Sequence, residues 1–248
     1  MKISKDYHVH SLLPTSSHAK SNIEEIALEA IKKGLKEIAI SNHGLSHTLY
    51  GFRKKHISQL KAEIKAVNEK YPEIKVLFGV EANILSLKGD TDIDQEILDN
   101  CDVILCGYHL FVKYKSFKDF FNFVILNYFA KRFGFRKEKQ KNINTKAIVE
   151  AMNKNKMHVL THPGRKLVYD IEEIAKAASK NNVLLEINNN CNSLSVEEIK
   201  LCEKYNVKYI INSDSHIKDT VGNCQAGLKR ATEAGLSIEK VVNLEQYY

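Results

Sequence analysis

The stretch Lys75-Val-Leu-Phe-Gly-Val-Glu81 is a short apolar run that ends on a carboxylate. Working outward from it, the same pattern recurs with histidine in the terminal place. Seven of the ten histidines close or follow such runs: His8-Val9-His10, His18, His43 in Ser-Asn-His-Gly, His109 in Cys-Gly-Tyr-His, His162 in Thr-His-Pro-Gly-Arg, and His216 in Asp214-Ser-His216. Side chains at the ends of successive parallel strands converge on one end of an α/β barrel, where enzymes of that architecture keep their chemistry. The nine imidazoles and carboxylates His8, His10, His18, His43, Glu81, His109, His162, Asp214 and His216 are therefore expected in one pocket, able to neutralise several divalent cations.

The spacing predicts strands over Ile3–Tyr7, Glu37–Ser41, Lys75–Val80, Val103–Gly107, Met157–Thr161, Val183–Ile187 and Tyr209–Asn212. Amphipathic segments separate them, the first with Ile23, Ile26, Ala27, Ala30 and Ile31 on one face. Ser21-x-x-Glu24 reads as its capping box and Gly34 as its terminator. Asp170-x-x-Glu173 and Ser195-x-x-Glu198 repeat the start signal. Strand–helix repetition calls for parallel strands with right-handed crossovers. Seven strands suggest a distorted (β/α)7 barrel, with an open doubly wound sheet as the alternative.

A chain of 248 residues, 44% of them hydrophobic, suits one such domain spanning 1–248. No apolar stretch approaches the ~20 residues a membrane span needs, and the opening Met-Lys-Ile-Ser-Lys leaves no room for a signal peptide. Five cysteines without a C-x-x-C pair argue against disulfides or a thiolate zinc site and for a reducing cytoplasm. The net charge of +7 is compatible with an anionic substrate or nucleic acid, but its first reading is a lysine-rich solvated surface.

One segment breaks the rhythm. Residues 111–141 hold eight of the ten phenylalanines and much lysine and arginine. Phe117, Phe120, Phe121, Val124, Tyr128 and Phe129 lie at helical spacing, which predicts an amphipathic helical insertion beside His109. The first reading packs that stripe on the barrel. The others are a subunit interface or lid over the site, and attachment to a membrane surface.

Taken alone, His8-Val9-His10 is a weak signal, though alternation puts both rings on one side of a strand. The conjunction is stronger, because ligand-type residues end strands one, two, three, four, five and seven. His47 (loop), His56 (helix start) and His158 (inside a strand) are set aside. In order, the motifs His-x-His, Ser-Ser-His-Ala, Asn-His-Gly, Gly-Val-Glu-Ala-Asn, Gly-Tyr-His, Thr-His-Pro-Gly, Leu-Glu-Ile-Asn-Asn and Ser-Asp-Ser-His resemble the PHP (polymerase and histidinol phosphatase) family over nearly the whole chain. The likeness is nearest to its stand-alone trinuclear-metal phosphatases of the YcdX type.

That resemblance implies a (β/α)7 barrel with three metals at the C-terminal end of its strands. One would be held by His8, His10, Glu81 and Asp214, a second by His18, His43 and His216, and a third by His109 and His162, with Glu81 bridging it to the first. The chain departs from the family at Asn42, where Asp is usual, which touches second-site affinity or the pH profile. The segment 111–141 also looks longer than the family's loop. Imidazole and carboxylate without thiolate suit zinc first, with iron or manganese as alternatives. Three divalent ions against two carboxylates leave a surplus of about four positive charges, suited to a phosphate and a hydroxide together.

The expected reaction is hydrolysis of a small-molecule phosphomonoester by metal-bound hydroxide, with no side-chain nucleophile. Arg165 could add a bidentate phosphate contact. Asn188 and Asn190 could orient ligands, contact substrate or simply make a turn. The alternatives are a histidinol-phosphate phosphatase, a nucleic-acid phosphodiesterase or exonuclease, and a metal-binding protein without turnover. The absence of Trp, and of a basic track interleaved with aromatics outside residues 111–141, argues against nucleic acid. Nothing in the sequence compels a homo-oligomer.

Overall fold

The computed structural model describes residues 2–13 and 16–245. A short antiparallel pair, β1 (Lys2–Ile3) with β9 (Leu244–Glu245), flanks seven parallel strands in sequential order. These are β2 (Lys5–Val9), β3 (Glu37–His43), β4 (Lys75–Asn83), β5 (Val103–Gly107), β6 (Val159–Leu160), β7 (Leu184–Asn188) and β8 (Tyr209–Asn212). The sheet curls until β8 meets β2, so the architecture is the (β/α)7 barrel expected and the open sheet is excluded. No continuous ladder joins that seam. Asn212 Oδ1 accepts from the Tyr7 amide at 3.0 Å, the His10 amide donates to Ser215 O at 2.8 Å, and the Ser215 amide to His8 O at 3.2 Å. The stitch sets Asp214 and His216 beside His8 and His10.

Strand alternation explains what fills the barrel. Tyr7, Ala39, Leu77, Leu105, Val159, Leu184 and Ile210, one from each strand, pack in an apolar cluster separate from the main core. Two residues further along come Ser41, Gly79, Gly107, Thr161, Glu186 and Asn212, and two further again His43, Glu81, His109 and Asn188. The floor is apolar and each layer above it more polar. In β2 a register shift between Asp6 and Val9 breaks the alternation. After it His8 and His10 join the polar layer, while Val9 packs in the outer core with the helices.

Around the sheet lie α1 (Ile23–Lys32), α2 (Ile57–Lys70), α3 (Gln95–Asn100), α4 (Phe117–Phe120), α5 (Asn127–Phe133), α6 (Lys137–Lys154), α7 (Ile171–Asn181), α8 (Val196–Cys202) and α9 (Gln225–Glu233). The caps at Asp170 and Ser195 form as read from the sequence. The first cap is displaced by one residue. Asn22 and Glu25 form the box, because Ser21 Oγ accepts from the Lys218 amide at 2.9 Å instead. Several strand ends also differ: β2 runs to Val9 and takes in His8, β6 is only Val159–Leu160, and β3 and β4 run past Ser41 and Val80, so His43 and Glu81 lie within the ladder as direct Cα partners. His158 precedes β6 rather than lying in it, and its Nδ1 accepts from the Ile104 amide at 2.9 Å.

The segment 111–141 departs most. A π-helical turn over Phe121–Leu126 joins α4 to α5, and its extra residue shifts the helical phase. The inward positions become Asp119, Phe123, Asn127 and Ala130. The aromatic stripe expected to pack on the barrel faces outward instead. Phe123 alone among these phenylalanines is fully buried, against Tyr108 and Tyr114 at ring separations of 5.5 and 5.9 Å. Nor does the excursion end at Lys141, which lies inside α6.

Candidate metal centre

Glu81 is the hub. Its carboxylate has His43 Nδ1 at 2.7 Å, His162 Nε2 at 2.9 Å, His109 Nε2 at 3.0 Å, His8 Nε2 at 3.2 Å and His10 Nε2 at 3.6 Å. Those five imidazoles come from four different strands. Asp214 Oδ1 stands 3.4 Å from His8 Nε2 and 3.5 Å from His10 Nε2. The remaining two rings meet at the outer side, where His18 Nε2 and His216 Nε2 converge to 2.8 Å. All nine expected residues are therefore brought together. A cavity of about 190 Å³ opens over them, lined also by His47, Tyr50, Phe111, Arg165 and Lys166.

The backbone is strained where it turns into this site. His162 (φ 29°) and Asp214 (φ 53°) adopt the left-handed region without being glycine. Such positions cost about 1–3 kcal/mol each and persist where neighbours over-determine them. Here the His162 amide donates to Glu186 Oε2 at 2.7 Å, and Asn190 Nδ2 donates to Asp214 O at 2.6 Å. Close packing also demands Gly107. A Cβ there would lie 2.1 Å from Thr161 Oγ1 and 3.1 Å from His162 Cε1.

Glu186 is the functional residue that pattern reading missed. It sits one layer below Glu81, fully buried, and takes His8 Nδ1 at 2.8 Å, Asn212 Nδ2 at 2.8 Å and Asn188 Nδ2 at 3.0 Å. A carboxylate on Nδ1 fixes the tautomer that points the Nε2 lone pair of His8 into the pocket. His216 is set the same way by the Asp214 carbonyl, 3.0 Å from its Nδ1. The signal was available, since Glu186 alternates in phase with Asn188 on a strand otherwise apolar.

Other expectations find different places. Asn188 Nδ2 donates to Asp214 Oδ2 at 3.2 Å, and Asn190 holds the Asp214 backbone, so both orient that carboxylate. Asn42 bonds Ser11 with both ends of its amide, accepting from the backbone and donating to Oγ, each at 2.9 Å, so it fixes the loop after His10. Arg165 reaches the cavity with NH1 3.4 Å from Asp214 Oδ2. His47 belongs to the site after all: it lines the cavity and stacks on His43 at 4.5 Å. Its Nδ1 accepts from the Tyr50 amide at 3.2 Å. His56 stays outside, its Nδ1 near the Arg53 amide.

The electrostatics favour deprotonated donors. Burial keeps His10 and His43 below the usual imidazole range. Burial and the neighbouring imidazoles push His18 down to about 4 and His47 to about 3. Burial opposes charge on Glu81, yet His109, His8 and His43 hold it ionised well below the ordinary carboxylate range. Asp214 is lowered likewise, against burial, chiefly by His8. His8 is the exception. Burial disfavours its charge, but Glu81, Glu186 and Asp214 together raise it well above normal.

Cations fit this donor set. His8 Nε2, His10 Nε2, His43 Nδ1 and Glu81 Oε2 are buried and make no aligned hydrogen bond despite their close approach to one another, a costly condition that metal coordination relieves. Three triads hold donor atoms within 4.8 Å of one another: His8–His10–Glu81, His43–Glu81–His109 and His10–His43–His216. They share members, so they form one continuous pocket. The five cysteines stand free and none belongs to a triad.

Fold and site together define a parallel α/β barrel with a nitrogen–oxygen, metal-type pocket at the C-terminal end of its strands. The PHP domain profile matches residues 6–190, well over half of the chain, and the chain belongs to the PHP domain family. It is 29% identical to a protein of Caldicellulosiruptor bescii named "Probable phosphatase", over 98% of this chain and 92% of that one. A protein of the same name from Syntrophotalea carbinolica is 26% identical, with the same coverage. Among solved structures, the histidinol phosphate phosphatase of Lactococcus lactis, determined with zinc, L-histidinol and phosphate, superposes with a TM-score of 0.65 over 96% of this chain and 95% of that one. At 16% identity that likeness is one of fold.

Proposed function

We propose that this chain is a metal-dependent phosphatase that hydrolyses a phosphomonoester of a small molecule. The carrying observation is the convergence of five imidazoles on the single buried carboxylate Glu81, an arrangement of nitrogen and oxygen donors that suits divalent cations. The names of its relatives supply the reaction class, and the cavity's basic wall supplies the preference for an anion.

As the family resemblance implies, His8, His10, Glu81 and Asp214 would hold one divalent ion, His18, His43 and His216 a second, and His109 and His162 a third with Glu81; the donor triads also group His43 with Glu81 and His109, and His10 with His43 and His216. Zinc suits these donors best, with iron or manganese as alternatives. When bound, such ions supply Lewis acidity, lowering the pKa of water toward ~7 and offsetting phosphate charge. Glu186 adds a third negative charge just beneath, which trims the positive surplus to about three by formal count. Arg165, 3.4 Å from Asp214 at the cavity wall, would bind a phosphate oxygen. Tyr50, His47 and Phe111 wall the cavity and limit access of water and of bulky leaving groups.

Histidinol phosphate is the second reading, favoured by the fold shared with the Lactococcus lactis enzyme. The test compares p-nitrophenyl phosphate, histidinol phosphate, nucleotides and labelled oligonucleotides, each with and without chelator. Chelator-sensitive phosphate release from monoesters supports the proposal. Turnover confined to oligonucleotides, or none at all, refutes it.

A further inference from the structure

Segment 111–141 carries nine Lys or Arg against two Asp or Glu, so its surplus of seven equals that of the whole chain and the remainder is balanced. The same segment exposes Phe117 (78%), Phe121, Tyr128, Phe129, Phe133 (63%) and Phe135. These are large apolar groups placed where solvent would ordinarily exclude them. The segment beneath is well anchored. Phe123 is its apolar root, and Asn127 and Asn144 tie α5 and α6 to the loop after Arg165, with Asn127 Nδ2 on Lys166 O at 2.7 Å and Asn144 Nδ2 on Val168 O at 2.8 Å. Rigid footing, outward phenylalanines and concentrated cations therefore coincide in one segment.

We infer that this surface docks on an anionic phospholipid membrane, with the phenylalanines entering the interface and Lys118, Arg132, Arg136 and Lys139 meeting headgroup phosphates. Aromatic and aliphatic groups flanked by lysine and arginine bind such interfaces by combining apolar burial with charge attraction. The outward rings pack on one another: Phe129 and Phe133 lie 5.8 Å apart, Tyr128 sits edge-on to both, and Phe117 stacks on Phe121 at 6.2 Å. They make apolar knobs and not the open, separated ring faces on which nucleic-acid bases stack. A symmetric second copy would set one concentration of positive charge against another, and the charge-balanced remainder offers no net acidic counterpart. Docking is peripheral, as no helix among the described residues is long and apolar enough to span a bilayer.

The test is flotation of the full chain with phosphatidylcholine vesicles and with vesicles containing about a third phosphatidylserine, at low and high salt. Partitioning is expected to be at least about tenfold stronger on the anionic vesicles and to weaken with salt. Two double variants, Phe117→Ser with Phe133→Ser and Arg132→Glu with Arg136→Glu, should each lose about tenfold while hydrolysing p-nitrophenyl phosphate in solution like the parent. Equal binding to both vesicles would overturn the inference, as would an aromatic variant that floats unchanged. So would an oligomer that the aromatic variant dissociates, or an oligonucleotide that the chain binds in preference to anionic vesicles.

Discussion

The Glu186 carboxylate receives His8 Nδ1 at 2.8 Å from one layer below the pocket, and its other oxygen receives the amide of His162. One buried acid thus sets both the tautomer of one imidazole and the strained turn that presents another. Glu186→Gln keeps the shape and removes the charge. Metal affinity should fall about 10–100-fold, as for other partners of ligand histidines, with the thermal transition still cooperative. Competition against a chromogenic chelator measures it, and unchanged affinity would remove Glu186 from this role.

Glu81→Gln addresses the hub itself. Five imidazoles lose their shared counter-charge, so phosphatase activity should fall by about a thousandfold. Bound metal should fall with it. Initial rates and elemental analysis on one preparation check both.

Arg165→Ala tests the phosphate contact. An unsupported phosphate oxygen costs about 1.5–3 kcal/mol, a rise in KM of roughly tenfold or more. Arg165→Lys should restore part of it, because charge survives and the planar fork does not. A KM unmoved by either change assigns the guanidinium to Asp214 alone.

Acid should destabilise the chelator-treated protein. His18 and His47, held at about 4 and about 3, stay neutral in the folded chain while their unfolded counterparts protonate near ~6.5. The unfolded state then binds more protons between those values, so stability falls as pH drops from about 6.5 towards 4. Buried His10 and His43 act in the same sense, whereas the burial-raised carboxyls of Asp6 and Asp92 act in the opposite one. Urea midpoints at neutral and mildly acidic pH decide it, and a flat profile would contradict the burial of these rings.

Gly107→Ala tests the packing under the site. The added methyl meets Thr161 Oγ1 at 2.1 Å, inside a fully packed barrel. Overpacking of this kind costs about 1–3 kcal/mol, seen as a lower melting temperature.

The candidate ligand set is legible because it is a matter of strand ends, and strands announce themselves by apolar runs closed by polar residues. His109, His162 and Asp214 follow their strands as that reading has it, whereas His8 and His43 lie within the last residues of theirs. Glu186 was obscured because it lies within a strand, and only the layer count from Asn188 shows that it faces inward. The sequence puts His47 in a loop with no strand end to mark it, and that loop folds back over His43. The aromatic segment was misread for a more physical reason. Periodicity assumes 3.6 residues per turn, and the π turn at Phe121–Leu126 breaks that phase, turning Phe123 inward and its neighbours out. The cap at Asn22 shows a smaller version of the same limit, since Ser21 was claimed by a distant amide, Lys218.

The most direct measurement is elemental analysis of the freshly purified chain, paired with its phosphatase rate before and after chelation. The account predicts about three zinc, iron or manganese ions per chain, with activity lost on their removal and restored on their return. A chain free of transition metal that still hydrolyses phosphomonoesters at full rate would contradict it.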